Sequence, residues 1–295
     1  MIIKCNKLFL LFVDRLLTLF LVLFCLGIVW FLLQITTFTT FRIPSDSMEP
    51  SLMAGDNILV NKCVMGGRIF SLTDALDKKE VNISRLPGWG KIKRNDVLVF
   101  NFPYPAEWDS IGFDVMNYYV KRCIALPGDT LEIRNGYYKV KGIKEAIGNV
   151  VAQKRISLLK QDATQNIVME TYPWKKSLGW TIQEFGPLSV PARGQEIVMD
   201  SLALMLYRPL IEWELKERLF QKGDMICLGD SIVFKYRFTE NYYFVSGDKM
   251  ENSKDSRYWG LLPESYIVGK ATLIWKSINL YTDKVCWDRV LKKIE

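Results

Sequence analysis

A cluster of serines and one lysine are the residues on which chemistry could turn. The run Ser45-Asp46-Ser47-Met48-Glu49-Pro50-Ser51-Leu52 offers hydroxyl nucleophiles, and the 295 residues contain no histidine. A Ser-His-Asp triad is therefore impossible, as is any site with a His ligand or a His general base. A serine hydroxyl is a poor nucleophile until a neighbour removes its proton. The candidate for that neighbour is Lys121, in Tyr119-Val120-Lys121-Arg122-Cys123-Ile124-Ala125-Leu126-Pro127-Gly128-Asp129.

A neutral amine can take the proton, but lysine ordinarily titrates near about 10.4. Burial against apolar side chains disfavours the ammonium and lowers that value. A fall of roughly two units corresponds to about 2.7 kcal/mol of differential stabilisation. Val120, Cys123, Ile124, Ala125 and Leu126 give Lys121 an apolar setting. If 120–125 is a strand, Lys121 and Cys123 share one face and Val120 and Arg122 the other. Alternation does not say which basic residue meets the serine. An arginine cannot lose its proton in a protein, so a base in this segment must be Lys121. A third polar block, Gly247-Asp248-Lys249-Met250-Glu251-Asn252-Ser253-Lys254-Asp255-Ser256-Arg257-Tyr258-Trp259-Gly260, is dense in turn formers and hydrogen-bonding side chains.

Elements must hold these segments together. Residues 16–33 are almost wholly Leu, Phe, Val and Ile, interrupted by Thr18, Cys25, Gly27 and Trp30. At about 1.5 Å per residue they span roughly 27 Å, close to a hydrocarbon core of about 30 Å. The run is too long for a signal-peptide core, and residues 34–38 offer no small-x-small cleavage site. An anchor at 16–34 is expected, with the short apolar stretch at 8–13 extending the helix or lying at the interface. Lys4, Lys7 and Arg15 precede the span, and Arg42 is the one basic residue close behind it. That bias places 1–15 in the cytoplasm and the remainder across the membrane.

Beyond the anchor, short strands with turn punctuation are expected at 57–60, 97–100, 120–125, 130–133, 137–140, 242–245 and 266–271, with Asn135-Gly136 as a hairpin turn. The segment 142–238 reads as an inserted mixed subdomain, helix-like over 202–220. Lys284, Arg289, Lys292 and Lys293 suggest a basic surface tail. The formal charge of +7 comes from basic residues scattered among acidic ones. This pattern fits a surface near anionic lipid better than a nucleic-acid groove. The six cysteines, Cys5, Cys25, Cys63, Cys123, Cys227 and Cys286, form no C-x-x-C pair. Zinc and thioredoxin-like chemistry therefore lack support, and the wide spacing favours free thiols.

The order of anchor, Ser-Met-x-Pro, strand, Lys-Arg and polar loop closely resembles type I signal peptidases, membrane-bound Ser/Lys proteases. Four blocks carry the likeness: 43–52, Arg94-Asn95-Asp96-Val97-Leu98-Val99-Phe100, 119–129 and 247–260. The resemblance implies a mainly β fold: a transmembrane helix, then a β-rich catalytic domain over 35–141 and 239–295, with 142–238 as an inserted α/β cap. It implies removal of signal peptides from exported preproteins after small-x-small sites, on the outer side of a plasma or inner membrane. Its partners are those signal peptides and the bilayer; it invokes no nucleic acid, metal or organic cofactor, and leaves oligomeric state open.

By the same resemblance Ser47 is the nucleophile and Lys121 the general base. Ser45 supplies an oxyanion-hole hydroxyl beside the Ser47 N–H, and Ser253 orients the lysine amine. Asp255 and Arg257 form a supporting ion pair, and Gly247 and Asp248 open the loop. Phe41, Ile43, Met48, Leu52, Ile58, Tyr119 and Val120 line the substrate pockets. The chain departs from the family pattern at Asp46, where Gly is usual, and at Lys249-Met250-Glu251, where Asn-Arg-Asp is usual. A carboxylate at 46 would oppose base catalysis if it faced Lys121. A catalytically silent peptide-binding homologue, or one with a single dedicated substrate, is the alternative.

Overall fold

The structure, a computed structural model, describes residues 2–77, 79, 81–160, 167–223 and 225–294, with side chains from residue 9 onward. The expected positions 161–166 and 224 of the insertion, and the side chains of Lys4, Cys5 and Lys7, lie outside the described residues. Helix α1 covers Ile2–Thr36. It takes in the 8–13 stretch, so that stretch extends the helix. Within α1 the segment Phe9–Thr36 contains an 18-residue stretch with a mean hydropathy of 2.9, none of it buried against the rest of the chain. A helix apolar on every face and covered by no protein is what a bilayer solvates.

The main sheet follows almost without a linker. Its strands are β1 (Phe38–Arg42), β2 (Asp56–Asn61), β3 (Val97–Asn101), β4 (Tyr118–Ala125), β5 (Tyr242–Ser246) and β6 (Ile267–Ser277). The order is β1-β2-β6-β3-β4-β5, then the short strand Leu262–Pro263, and every pairing is antiparallel. Five of the six strands contain expected runs, apart from residue 266, and β1 was not expected. The last strand is much longer than expected and is bulged where it meets β2 and β3. Extra residues at bulges bend and twist a strand. The Phe41 and Tyr118 rings lie 4.8 Å apart although three strands separate β1 from β4 in the sheet, so the sheet curls back on itself.

The junction with the anchor is tied down. Lys62 Nζ donates to the carbonyls of Gln34 (2.7 Å) and Ile35 (3.2 Å), and its backbone N–H donates to Thr37 O (2.7 Å). The last carbonyls of a helix have no intrahelical partner, so a cation supplied by the sheet both satisfies them and complements the helix dipole.

Residues 130–134 and 137–140 form the expected hairpin, with Asn135 and Gly136 both at positive φ. Strand Phe185–Ser189 adds to it, so this small sheet straddles residue 142. Helix Ser201–Leu215 starts where expected, capped by Asp200 accepting from Ala203 N. It stops before 220, and Leu219–Lys222 is a strand paired with Met225–Leu228. One apolar cluster runs from Ile124 and Ala125 through Leu131 and Ile133 to Leu210, Phe238 and Phe244. The inserted region thus shares its core with the main sheet.

The C-terminal segment is not simply a surface tail. Lys292–Lys293 pair with β6, and Arg289 is buried. Its guanidinium grips Asp56 through Nε–Oδ1 (3.0 Å) and Nη2–Oδ2 (2.6 Å). Cys25, Cys63, Cys123, Cys227 and Cys286 are free thiols.

Candidate active site

The serine run leaves the end of β1 and returns to β2 as a compact turn. Ile43 N–H donates to Asp56 O (2.8 Å) and Gly55 N–H to Ile43 O (2.9 Å), closing its neck. Inside, Glu49 N–H donates to Asp46 O and Leu52 N–H to Met48 O, both at 2.9 Å. Met48 and Leu52 sink into an apolar cluster with Ile43, Ile58, Val60 and Val97. Burying these side chains fixes the turn, and Ser47, between Asp46 and Met48, projects toward β4.

There Lys121 Nζ lies 2.6 Å from Ser47 Oγ. Lys121 is 4% exposed, and its ammonium sits over the Tyr119 ring, 5.5 Å from the centroid. Burial lowers its pKa to about 8; Asp255 opposes this, Arg257 assists, and Asp248 and Asp46 oppose more weakly. A lysine so placed is deprotonated in a substantial fraction of molecules near neutral to mildly alkaline pH, and is within reach to accept the serine proton. Arg122 is turned elsewhere. It forks onto Asp248 (Nε–Oδ1 2.7 Å, Nη2–Oδ2 2.6 Å), and it donates to Asn95 O (2.8 Å) and Ser51 Oγ (3.0 Å).

The polar block 247–260 closes over this pair. Lys249 N–H donates to Ser47 O (3.1 Å). Gly247 is squeezed between the two segments: a Cβ there would lie 2.2 Å from Ser253 Oγ and 2.5 Å from Ser47 O. Only glycine permits so close an approach. Beneath it, Asp255 and Arg257 form a fully buried two-pronged pair, with both N···O distances 2.8 Å. Asp255 also accepts from Gly247 N (2.9 Å) and from Ser246 Oγ (3.1 Å), which in turn accepts from Tyr138 OH (2.7 Å). Burial pushes the Asp255 carboxyl up, but Arg257 and the Gly247 N–H outweigh it and hold the pKa below the usual value. Arg257 reaches on to Met250 O (2.8 Å), fixing the loop's crest.

The expected residues therefore converge, with differences of detail. Ser45 Oγ lies 3.5 Å from Ser47 Oγ. Ser253 is buried against Gly247, and its hydroxyl makes no hydrogen bond to Lys121. Ile43, Met48, Leu52 and Ile58 are no more than 3% exposed, so they are core residues beneath the turn and offer almost no surface. Phe41, Tyr119 and Val120 are half-buried and present surface. Asp46 does not face the base: its carboxylate meets Lys249 Nζ at 2.5 Å and Asn252 Nδ2 at 3.0 Å. Sequence reasoning missed Ser51 and Asn95, which orient Arg122, and Tyr118, which packs on Phe41. All three lie in or beside the motif blocks, but nothing in their spacing distinguishes them.

Two strand edges near the serine and lysine are unpaired. β1 is an edge strand, and β5 pairs with Arg122, Cys123 and Ala125 of β4 but leaves 118–121 open on that side. Two open strand edges thus flank the approach to Ser47.

Residues 15–201 and 212–276 match the family described as signal peptidase, peptidase S26. Over 240 residues the chain is 29% identical to signal peptidase I of Aquifex aeolicus (strain VF5), covering 80% of this chain and 75% of that protein. Over 261 residues it is 30% identical to signal peptidase I of Buchnera aphidicola subsp. Acyrthosiphon pisum (strain APS), covering 84% and 71%.

Proposed function

The chain belongs to the signal peptidase family, peptidase S26, as a membrane-anchored endopeptidase that removes signal peptides from exported preproteins, and we propose that it does so with Ser47 as nucleophile and Lys121 as general base. The observation that carries this reading is the 2.6 Å approach of Lys121 Nζ to Ser47 Oγ inside a buried site. The preprotein's extended segment adds to the open edges of β1 and 118–121, so main-chain hydrogen bonds hold it while small side chains settle over Ile43 and Met48. Ser47 Oγ attacks the scissile carbonyl as its proton passes to neutral Lys121. The oxyanion accepts from the Ser47 N–H and the Ser45 hydroxyl. Lys121 then protonates the departing amine, leaving an acyl-enzyme. Water gives a proton to Lys121 as it attacks the ester, and Lys121 returns that proton to Ser47 Oγ as the ester bond breaks and the signal peptide is freed. The Asp255–Arg257 pair holds the loop that packs Ser253 against Gly247 beside the nucleophile turn. The cation bias before the anchor places the N-terminus in the cytoplasm and the catalytic sheet on the outer side.

Purified full-length protein in detergent, incubated with a preprotein bearing an Ala-x-Ala site, tests this. Mass spectrometry should locate the cut after the final Ala for wild type and find none for Ser47→Ala or Lys121→Ala. Cleavage retained by purified Lys121→Ala would sink the assignment of the base.

A further inference from the structure

The two places where the chain departs from its family's pattern touch each other. Asp46 stands between the two serines, and Lys249 follows the Gly247-Asp248 turn, 203 residues later. Lys249 Nζ is 2.5 Å from Asp46 Oδ2 and 3.0 Å from Glu49 Oε2. Asn252 Nδ2 lies 3.0 Å from both Asp46 oxygens, and the Lys249 backbone donates to Ser47 O at 3.1 Å. One short loop therefore grips the nucleophile turn on both sides of Ser47.

We propose that Asp46 and Lys249, braced by Glu49 and Asn252, form a charge latch that positions the nucleophile turn against the loop 247–255 and screens Lys121 from the Asp46 carboxylate. The inference rests on the Ser47–Lys121 reading and adds positioning residues to it. Its logic lies in the charges around the base. The charges of three carboxylates bear on Lys121: Asp255, Asp248 and, turned toward Lys249, Asp46. Each has its own cation: Arg257 on Asp255, Arg122 on Asp248 and Lys249 on Asp46. An uncompensated carboxylate at any of these positions would favour the ammonium form and withhold the base. The first two pairs belong to positions that match the family pattern. The third exists because this chain carries an acid where glycine is usual, and the lysine opposite supplies the counter-charge. The pair is partly exposed, with side chains 28% and 36% accessible, so its contribution to global stability is small.

The test compares wild type with Lys249→Met, Asp46→Asn and the double variant. It uses the full chain in detergent, an Ala-x-Ala preprotein, kcat/KM across pH, and thermal unfolding. Removing Lys249 leaves Asp46 unopposed, so the acidic limb of the profile should move up by about half a pH unit, a shift of the size a single near-surface charge delivers. Near neutral pH that is about a threefold loss. Asp46→Asn leaves Lys249 in excess and should move the limb down, by less because Glu49 still holds the lysine. The double variant should return close to wild type, with melting temperatures nearly unchanged throughout. Shifts of opposite sign are a signature that simple loosening of the loop does not produce. Profiles that do not move, or that move in the same direction in both single variants, overturn the latch. Because Lys121→Ala runs alongside, unchanged profiles with an inactive Lys121→Ala count against the latch alone. An active Lys121→Ala counts against the base itself.

Discussion

On the proposed mechanism, Lys121 ties the enzyme's rate to pH through one buried amine. With its pKa lowered to about 8 by burial, cleavage should rise with unit slope from mildly acidic pH and level off above about 8. Lys121→Arg, which keeps the charge but cannot release the proton, should be inactive across that range; a pH series of initial rates on a preprotein checks both. Gly247 tests the geometry at the same scale. A methyl group there meets Ser253 Oγ and Ser47 O inside contact distance, so Gly247→Ala must push the nucleophile turn away from the loop. The expected result is a fall in kcat of about a hundredfold, the scale on which small misplacements act, with the circular dichroism spectrum unchanged.

At the scale of the element, the loop 247–260 depends on a charge pair sealed beneath it. Asp255 and Arg257 are both wholly buried, so Asp255→Ala leaves a guanidinium without its partner and should cost about 3–5 kcal/mol, read as a lower denaturant midpoint. Asp255's folded pKa is below its ordinary 3.8, so its stabilising contribution is complete above that value and is lost as pH falls through the folded one. The existence of this loop and of most strands was legible in the sequence. Turn residues bracket 97–100 and 130–133, and Asn135-Gly136 announces its hairpin. The absence of histidine, with arginine's inability to deprotonate, made Lys121 the candidate base of its segment. Other features rest on contacts between distant segments, which local patterns do not encode. The bulged length of β6, the sharing of one core by Ala125 and Leu210, and the burial of Arg289 on Asp56 are of this kind. So is the turn of Asp46 toward Lys249: composition announced both charges and not their meeting.

For the whole molecule, the anchor and catalytic sheet are joined without slack. The apolar segment Phe9–Thr36 has 28 residues, about 42 Å of helix against a hydrocarbon core of about 30 Å, and β1 begins at Phe38. Lys62 fastens the helix end to the sheet. Lys62→Met should leave cleavage of a soluble peptide unchanged and slow cleavage of a membrane-inserted preprotein several-fold, because only the second substrate requires the site to be held in register with the bilayer. The buried base has a further consequence for the folded state itself. In the unfolded chain Lys121 titrates near 10.5 and in the fold near 8, so below about 8 folding works against the affinity of that amine for a proton, on the order of 3 kcal/mol. Between the two values the unfolded chain binds more protons, and stability rises with pH. Lys121→Met should therefore be inactive yet melt above wild type at neutral pH, with the gap closing as pH approaches 10.5. The amine proposed to activate the serine is held there by the packing of the rest of the protein, against its own preference for water.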